Sequence, residues 1–277
     1  MILIRISITL ILLFQLSTVF SSVTPAVKEP KSENPKSILM IGNSFMYYNN
    51  GVHNPLVRLI RATEELGKGH KIRLITINGS SLSWHDVNSY IKNPNIGSFS
   101  INSKNVLNKY DFTGFDMAIM QDCSQCPIHP ERKDLFYEYA EKHSNLLKKN
   151  DIEPVFMMTW AYKDKPEMTK QLAEEYTLAG NKNNVLVTPV GLAYRNSMKT
   201  YPEINLYHPD NRHPSNAGTY LSACVMFASI FQTSPVGITY TFDLDKKVAL
   251  NLQKIAWATH QESVSYTHLT LPTIYSV

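Results

Sequence analysis

The chain has only 3 cysteines and 11 glycines in 277 residues. Three cysteines cannot build the disulfide framework on which small secreted domains depend. So little glycine, without a period, excludes collagen-like sequence. Charge of one sign is also scarce: 27 Lys and Arg against 23 Asp and Glu leave a net +4. That surplus offers no electrostatic case for nucleic acid, and no Lys/Arg cluster with interleaved aromatics makes one. Internal repeats, heptads and low-complexity tracts are absent. What is present is a globular composition, 43% hydrophobic and 10% aromatic. It excludes intrinsic disorder and suffices for a full core in one domain.

The one long apolar run lies at the amino terminus. Arg5 precedes a mostly apolar run over residues 6–13, which continues through Phe14, Leu16 and Phe20 to the small residues Ser21 and Ser22. A basic start, a short apolar core and a small-residue exit describe a secretory signal peptide over residues 1–22. The mature protein is then secreted or periplasmic. Gln15, Ser17 and Thr18 interrupt the run, which makes it short for a stable membrane span. Contact with a membrane is expected only if this segment is retained. Residues 23–36 (VTPAVKEPKSENPK) read as a linker. Residues 264–273 read VSYTHLTLPT, which is similar to the translation of a transposase sequencing adapter. Residues 264–277 are therefore set aside as adapter-derived, and the domain is expected over 37–263.

Within it, apolar runs at 37–41, 71–77, 117–120, 154–159 and 185–190 read as strands. Residues 55–66, 131–149, 167–179, 216–231 and 245–261 read as helices. Regular alternation of the two predicts an α/β fold: a mainly parallel sheet of about five strands, covered on both faces as a three-layer α/β/α sandwich. Ligands of such sheets sit at the carboxyl ends of the strands.

Those strand ends carry chemistry. Gly42-Asn43-Ser44-Phe45 follows the first strand, Asn78-Gly79-Ser80 the second, and Gln121-Asp122-Cys123-Ser124-Gln125 the third. Asp210-Asn211-Arg212-His213-Pro214-Ser215 comes near the end. A serine hydroxyl is a poor nucleophile until a base takes its proton. His213 is the candidate base for Ser44. Asp210, three residues earlier, can fix the tautomer of the ring and stabilise the imidazolium. A tetrahedral oxyanion needs preorganised donors, and the N–H groups of Ser44 and Gly79 can supply two.

IGNSF resembles the nucleophile block of the SGNH (GDSL-like) hydrolases, and Asp210-x-x-His213 is similar to that family's final block. The order of the four blocks fits as well, and HPSNAGTYLSA is like the helix such proteins place after the histidine. The resemblance covers roughly residues 37–260 and is nearest a secreted bacterial subgroup with a glutamine-rich third block. It implies a flavodoxin-like fold and a serine hydrolase of ester bonds without cofactor or metal, acting through an acyl-enzyme on Ser44. It also implies a third oxyanion donor, a side-chain amide of the third block. The family's usual Gly-x-Asn-Asp is missing here, so Gln121 and Gln125 both stand as that donor. Family members include acetyl-carbohydrate esterases, lipases and thioesterases. For an exported chain the expectation is a monomer that deacylates, above all deacetylates, a glycan or a small ester. The alternatives are a non-catalytic carbohydrate-binding protein on the same scaffold, or a lipase or thioesterase.

Asn43, Tyr47, Trp84 and His85 are candidates to line the substrate cleft. His208 is a second histidine near the base and reads as a loop residue. Cys123 and Cys126 form a C-x-x-C that Pro127 and Pro130 place in a loop, where the pair can oxidise locally. With no second such pair, zinc lacks ligands. Cys224, within an apolar helix, reads as core.

Overall fold

A computed structural model describes residues 23–94, 99–109 and 114–264. Seven strands form among them: β1 (Ser37–Gly42), β2 (Lys71–Thr76), β3 (Phe99–Ile101), β4 (Leu107–Lys109), β5 (Met117–Met120), β6 (Glu153–Met157) and β7 (Leu186–Thr188). The helices are α1 (Ser44–Tyr47), α2 (His53–Arg61), α3 (Val87–Lys92), α4 (Lys133–Lys149), α5 (Met168–Asn183), α6 (Val190–Thr200), α7 (Asn216–Phe231) and α8 (Lys246–Val264). Five strands make one parallel sheet in the order β2-β1-β5-β6-β7. β3 and β4 form a separate antiparallel pair.

The solid apolar runs explain the sheet. Ile38 to Ile41 of β1 and Met117 to Met120 of β5 are fully buried, as a strand covered on both faces requires. One helical group, α2, α6, α7 and α8, packs together, and α4 and α5 form the other. The architecture is the expected three-layer α/β/α sandwich. α7 is apolar around its whole circumference and buried from Ala217 to Phe231, so it forms the centre of its layer. α2 is amphipathic: Leu56, Leu59 and Ile60 face the core while Arg58 and Arg61 stay outside.

The chain passes from β1 to β2 on one side and then returns to β5 on the other. β1 and β5 are therefore neighbours across a topological switch point. Crevices for ligands open there, at the carboxyl ends of the strands. Ser44 follows β1 and Gln121 follows β5, so the topology alone brings the nucleophile and third blocks together.

Residues 23–36 have no regular secondary structure and lie against the opposite edge. Asn181 bonds the backbone of Thr24 and Ala26, and Glu153 accepts from the N–H groups of Lys31 and Ser32. Asp116 accepts from those of Lys36 and Ser37. The signal-peptide reading of 1–22 and residues 265–277 of the tail fall outside the described residues. Among the described residues, no helix is long and apolar enough to cross a membrane.

Two local readings change. The run 185–190 is not one strand: β7 ends at Thr188, Pro189 turns the chain, and α6 starts at Val190. A buried apolar run does not by itself distinguish a strand from a helix start. The β3–β4 pair and α3 lie in an Asn- and Ser-rich stretch whose short elements leave little periodic signal.

Candidate active site

Ser44 opens α1 directly after β1. The strand ends at Gly42, where a Cβ would meet Gln121 Oε1 and Met46 Sδ at 2.8 Å. A side chain at position 42 would have to displace the ends of Gln121 and Met46. Asn43 then caps α1, its Oδ1 accepting from the Phe45 N–H at 3.1 Å. Its Nδ2 donates to Ser80 O at 2.8 Å and Asp122 O at 3.2 Å. One buried amide thus ties together the exits of β1, β2 and β5.

The base arrives on the loop before α7. Ser44 Oγ lies 2.8 Å from His213 Nε2, and His213 Nδ1 lies 2.6 Å from Asp210 Oδ2. An ionised Asp210 accepts from a protonated Nδ1, which leaves Nε2 to accept the serine hydroxyl. That is the tautomer a general base needs. Asp210 Oδ1 also accepts from the backbone N–H groups of Arg212 and His213, each at 2.9 Å. Burial by itself would raise the Asp210 carboxyl; the His213 ring and these two N–H groups outweigh it and hold the group well below the usual carboxylate range. His208 Nδ1 sits 3.5 Å from the same Oδ2, at the outer side of the triad.

Of the oxyanion donors, Gly79 occupies the turn after β2 with φ of 67°, a conformation glycine adopts without strain. The turn closes through Ser80 N–H to Ile77 O at 3.2 Å. Neither the Ser44 nor the Gly79 N–H has a backbone partner among the described residues. The Gln121 Nε2 donates to Asn43 Oδ1 at 2.9 Å and to Asp122 O at 2.7 Å, and the side chain is buried. With both amide hydrogens engaged, Gln121 supports Asn43 instead of facing a substrate. Gln125 is exposed on the same loop.

Two of the four expected cleft residues are corrected. Asn43 is 3% exposed and spent on its hydrogen bonds. His85 is buried too: its Nε2 meets Ser80 Oγ at 3.0 Å and its Nδ1 the Tyr90 hydroxyl at 3.2 Å. Burial, with His143 nearby, pushes His85 down to about 4, so it is a neutral brace for the Gly79 turn. Trp84, 60% exposed, and Tyr47, 36% exposed, do present their rings to solvent. Tyr47 also donates to Asn78 Oδ1 at 2.9 Å, fastening α1 to that turn.

Two aromatic residues brace the site. Tyr48 lies flat on the His213 ring, with centroids 3.9 Å apart and planes 8° from parallel. Trp160, fully buried after β6, stacks on Phe45 at 4.4 Å and on Tyr194 at 4.4 Å. Its indole N–H donates to Arg212 O at 2.9 Å. Trp160 therefore touches the neighbour of the nucleophile and the neighbour of the base at once. The only sequence signal was its position three residues after the end of β6.

No family model matches the chain, and no curated protein matches it by sequence. Solved structures do match. A DUF4886 family protein from Bacteroides uniformis is 19% identical with a TM-score of 0.58, over 84% of this chain and 98% of its own. A candidate SGNH hydrolase from Slackia heliotrinireducens is 20% identical with a TM-score of 0.54, over 71% of this chain and 99% of its own. A catalytic mutant of Axe2, an acetylxylan esterase from Geobacillus stearothermophilus, is 14% identical with a TM-score of 0.50, over 78% and 100%. The chain has the SGNH hydrolase fold.

Proposed function

We propose that this protein is a secreted, monomeric serine esterase that removes acyl groups, acetyl above all, from a carbohydrate without a cofactor. The observation that carries the reading is the continuous chain Ser44 Oγ, His213, Asp210 at 2.8 Å and 2.6 Å. A binding protein has no use for that proton path. Ser44 attacks the ester carbonyl while His213 Nε2 takes its proton, and Asp210 stabilises the imidazolium. The oxyanion is received by the Ser44 and Gly79 N–H groups. His213 then protonates the leaving alcohol, activates a water, and the acyl-enzyme is hydrolysed.

The carbohydrate half of the reading is supported by exposed Trp84 and by exposed Tyr47 at the end of α1, which follow β2 and β1 at the same sheet edge, since aromatic faces suit sugar rings. The likeness in fold to an acetylxylan esterase supports the acetyl group. Export is supported by the pattern of residues 1–22. The test compares turnover on aryl acetate, aryl octanoate and acetylated oligosaccharide. Acetate esters are expected to be cleaved at least about tenfold faster than octanoate, and Trp84→Ala to raise KM on the oligosaccharide alone. Preference for octanoate would favour a lipase, and binding without turnover a carbohydrate-binding protein.

A further inference from the structure

Cys123 and Cys126 are joined by a disulfide three residues apart, in the loop after β5. A ring this short constrains the unfolded chain little, so stabilisation is a weak reason for the bond. Its surroundings suit reactivity better. Cys123 is half-buried and Cys126 is 1% exposed, so one sulfur can be approached and the other cannot. The Cys126 N–H points at Cys123 Sγ from 3.0 Å, a donor placed to stabilise a thiolate there. Asp122 is 1% exposed, and its carboxylate lies within 4.8 Å of both sulfurs. One oxygen, Oδ1, accepts from the Leu82 N–H at 3.0 Å and the Cys123 N–H at 2.6 Å, which fixes the group in place.

We propose that Cys123–Cys126 is a thiol–disulfide exchange site whose co-reactant is a low-molecular-mass thiol, with Cys123 as the attacked sulfur and Asp122 as the proton carrier. The thiolate attacks Cys123 Sγ, the bond to Cys126 breaks, and Cys126 leaves with the electron pair and takes the proton of Asp122. A second thiol attacks the mixed disulfide at the incoming group's sulfur and releases Cys123. Two electrons and two protons have then passed from two thiols to the pair, leaving a dithiol and an oxidised thiol. Burial pushes the Asp122 carboxyl up to about 6, against the Cys123 and Leu82 N–H groups and Arg132, which pull it down. Both of its protonation states are thus within reach near neutral pH. The other titratable group against it is the Tyr176 hydroxyl, which accepts the Asp122 N–H at 3.3 Å.

The experiment uses the native, full chain with millimolar reduced glutathione, followed by alkylation and peptide mapping. Cys123 is expected to be labelled within minutes on the native chain, Cys126, 1% exposed, only once denaturant is added after reduction, and Cys224, fully buried in α7, to stay unlabelled on the native chain. Cys126→Ser with oxidised glutathione is expected to give one mixed disulfide, on Cys123. Asp122→Asn keeps the Oδ1 acceptor and loses the proton, and is expected to slow exchange about tenfold near pH 7. Labelling of Cys123 that needs denaturant overturns the site, without reliance on any variant. An unchanged rate in Asp122→Asn overturns the role of Asp122. Ester turnover measured alongside separates the two readings: exchange without hydrolysis upholds this site and refutes the esterase, and hydrolysis without exchange does the reverse.

Discussion

At the scale of single residues, the buried polar groups decide the behaviour. Asp122 is protonated more readily when folded, at about 6 against an ordinary 3.8. The folded chain then binds more protons than the unfolded one between those values. Stability from this group falls as pH rises through that window, and the cost is complete above about 6. Asp122→Asn removes the cost and keeps both accepted N–H bonds, so its stability at pH 7 is expected to exceed the wild type's by on the order of 3 kcal/mol, read as a higher melting temperature. The gain should vanish near pH 4. A variant less stable than wild type at pH 7 would show that the carboxylate is favourable where it sits. Trp160 gives a second prediction. Trp160→Phe keeps a ring between Phe45 and Tyr194 and loses the bond to Arg212 O. A small misplacement of the base loop follows, and kcat is expected to drop about tenfold with KM little changed. A raised KM at full kcat would place Trp160 in substrate binding instead.

At the scale of elements, the site depends on how α1 and α7 begin. Ser215 caps α7, its Oγ accepting from the Gly218 N–H at 3.2 Å and donating to Asn205 O at 2.8 Å. Ser215→Ala removes both bonds and is expected to cost about 1–2 kcal/mol, read as a lower midpoint in urea. An unchanged midpoint would mean that packing of the helix holds this end alone. The elements that carry the site were legible in the sequence because they are solid or strongly periodic. β5 and α7 begin and end where the apolar runs do. β3, β4 and α3 were illegible because three to six residues in an Asn-rich stretch leave no period to read. Ser44, Asp210 and His213 could be found because each follows a turn signal at a strand or helix boundary. The burial of Asn43, Gln121 and His85 could not be read, since an amide or imidazole beside a strand end serves a cleft or a brace equally well. Only the fold decides which way it turns.

At the scale of the molecule, the two edges of the sheet are separate in kind. The carboxyl edge holds the triad, and the opposite edge holds residues 23–36 through Asn181, Glu153 and Asp116. Removal of residues 23–32 is therefore expected to lower the melting temperature by a few degrees and leave kcat/KM unchanged. A loss of activity without a loss of stability would mean that the segment reaches the site. The account rests on Ser44 being a nucleophile, and one measurement addresses that directly. The folded protein is treated with a serine-directed phosphonate, weighed intact and mapped by peptides. The account predicts a single adduct on Ser44, absent in Ser44→Ala and slowed by about 10⁴ or more in His213→Ala. No adduct on folded wild-type protein, or an adduct on another serine, would contradict it.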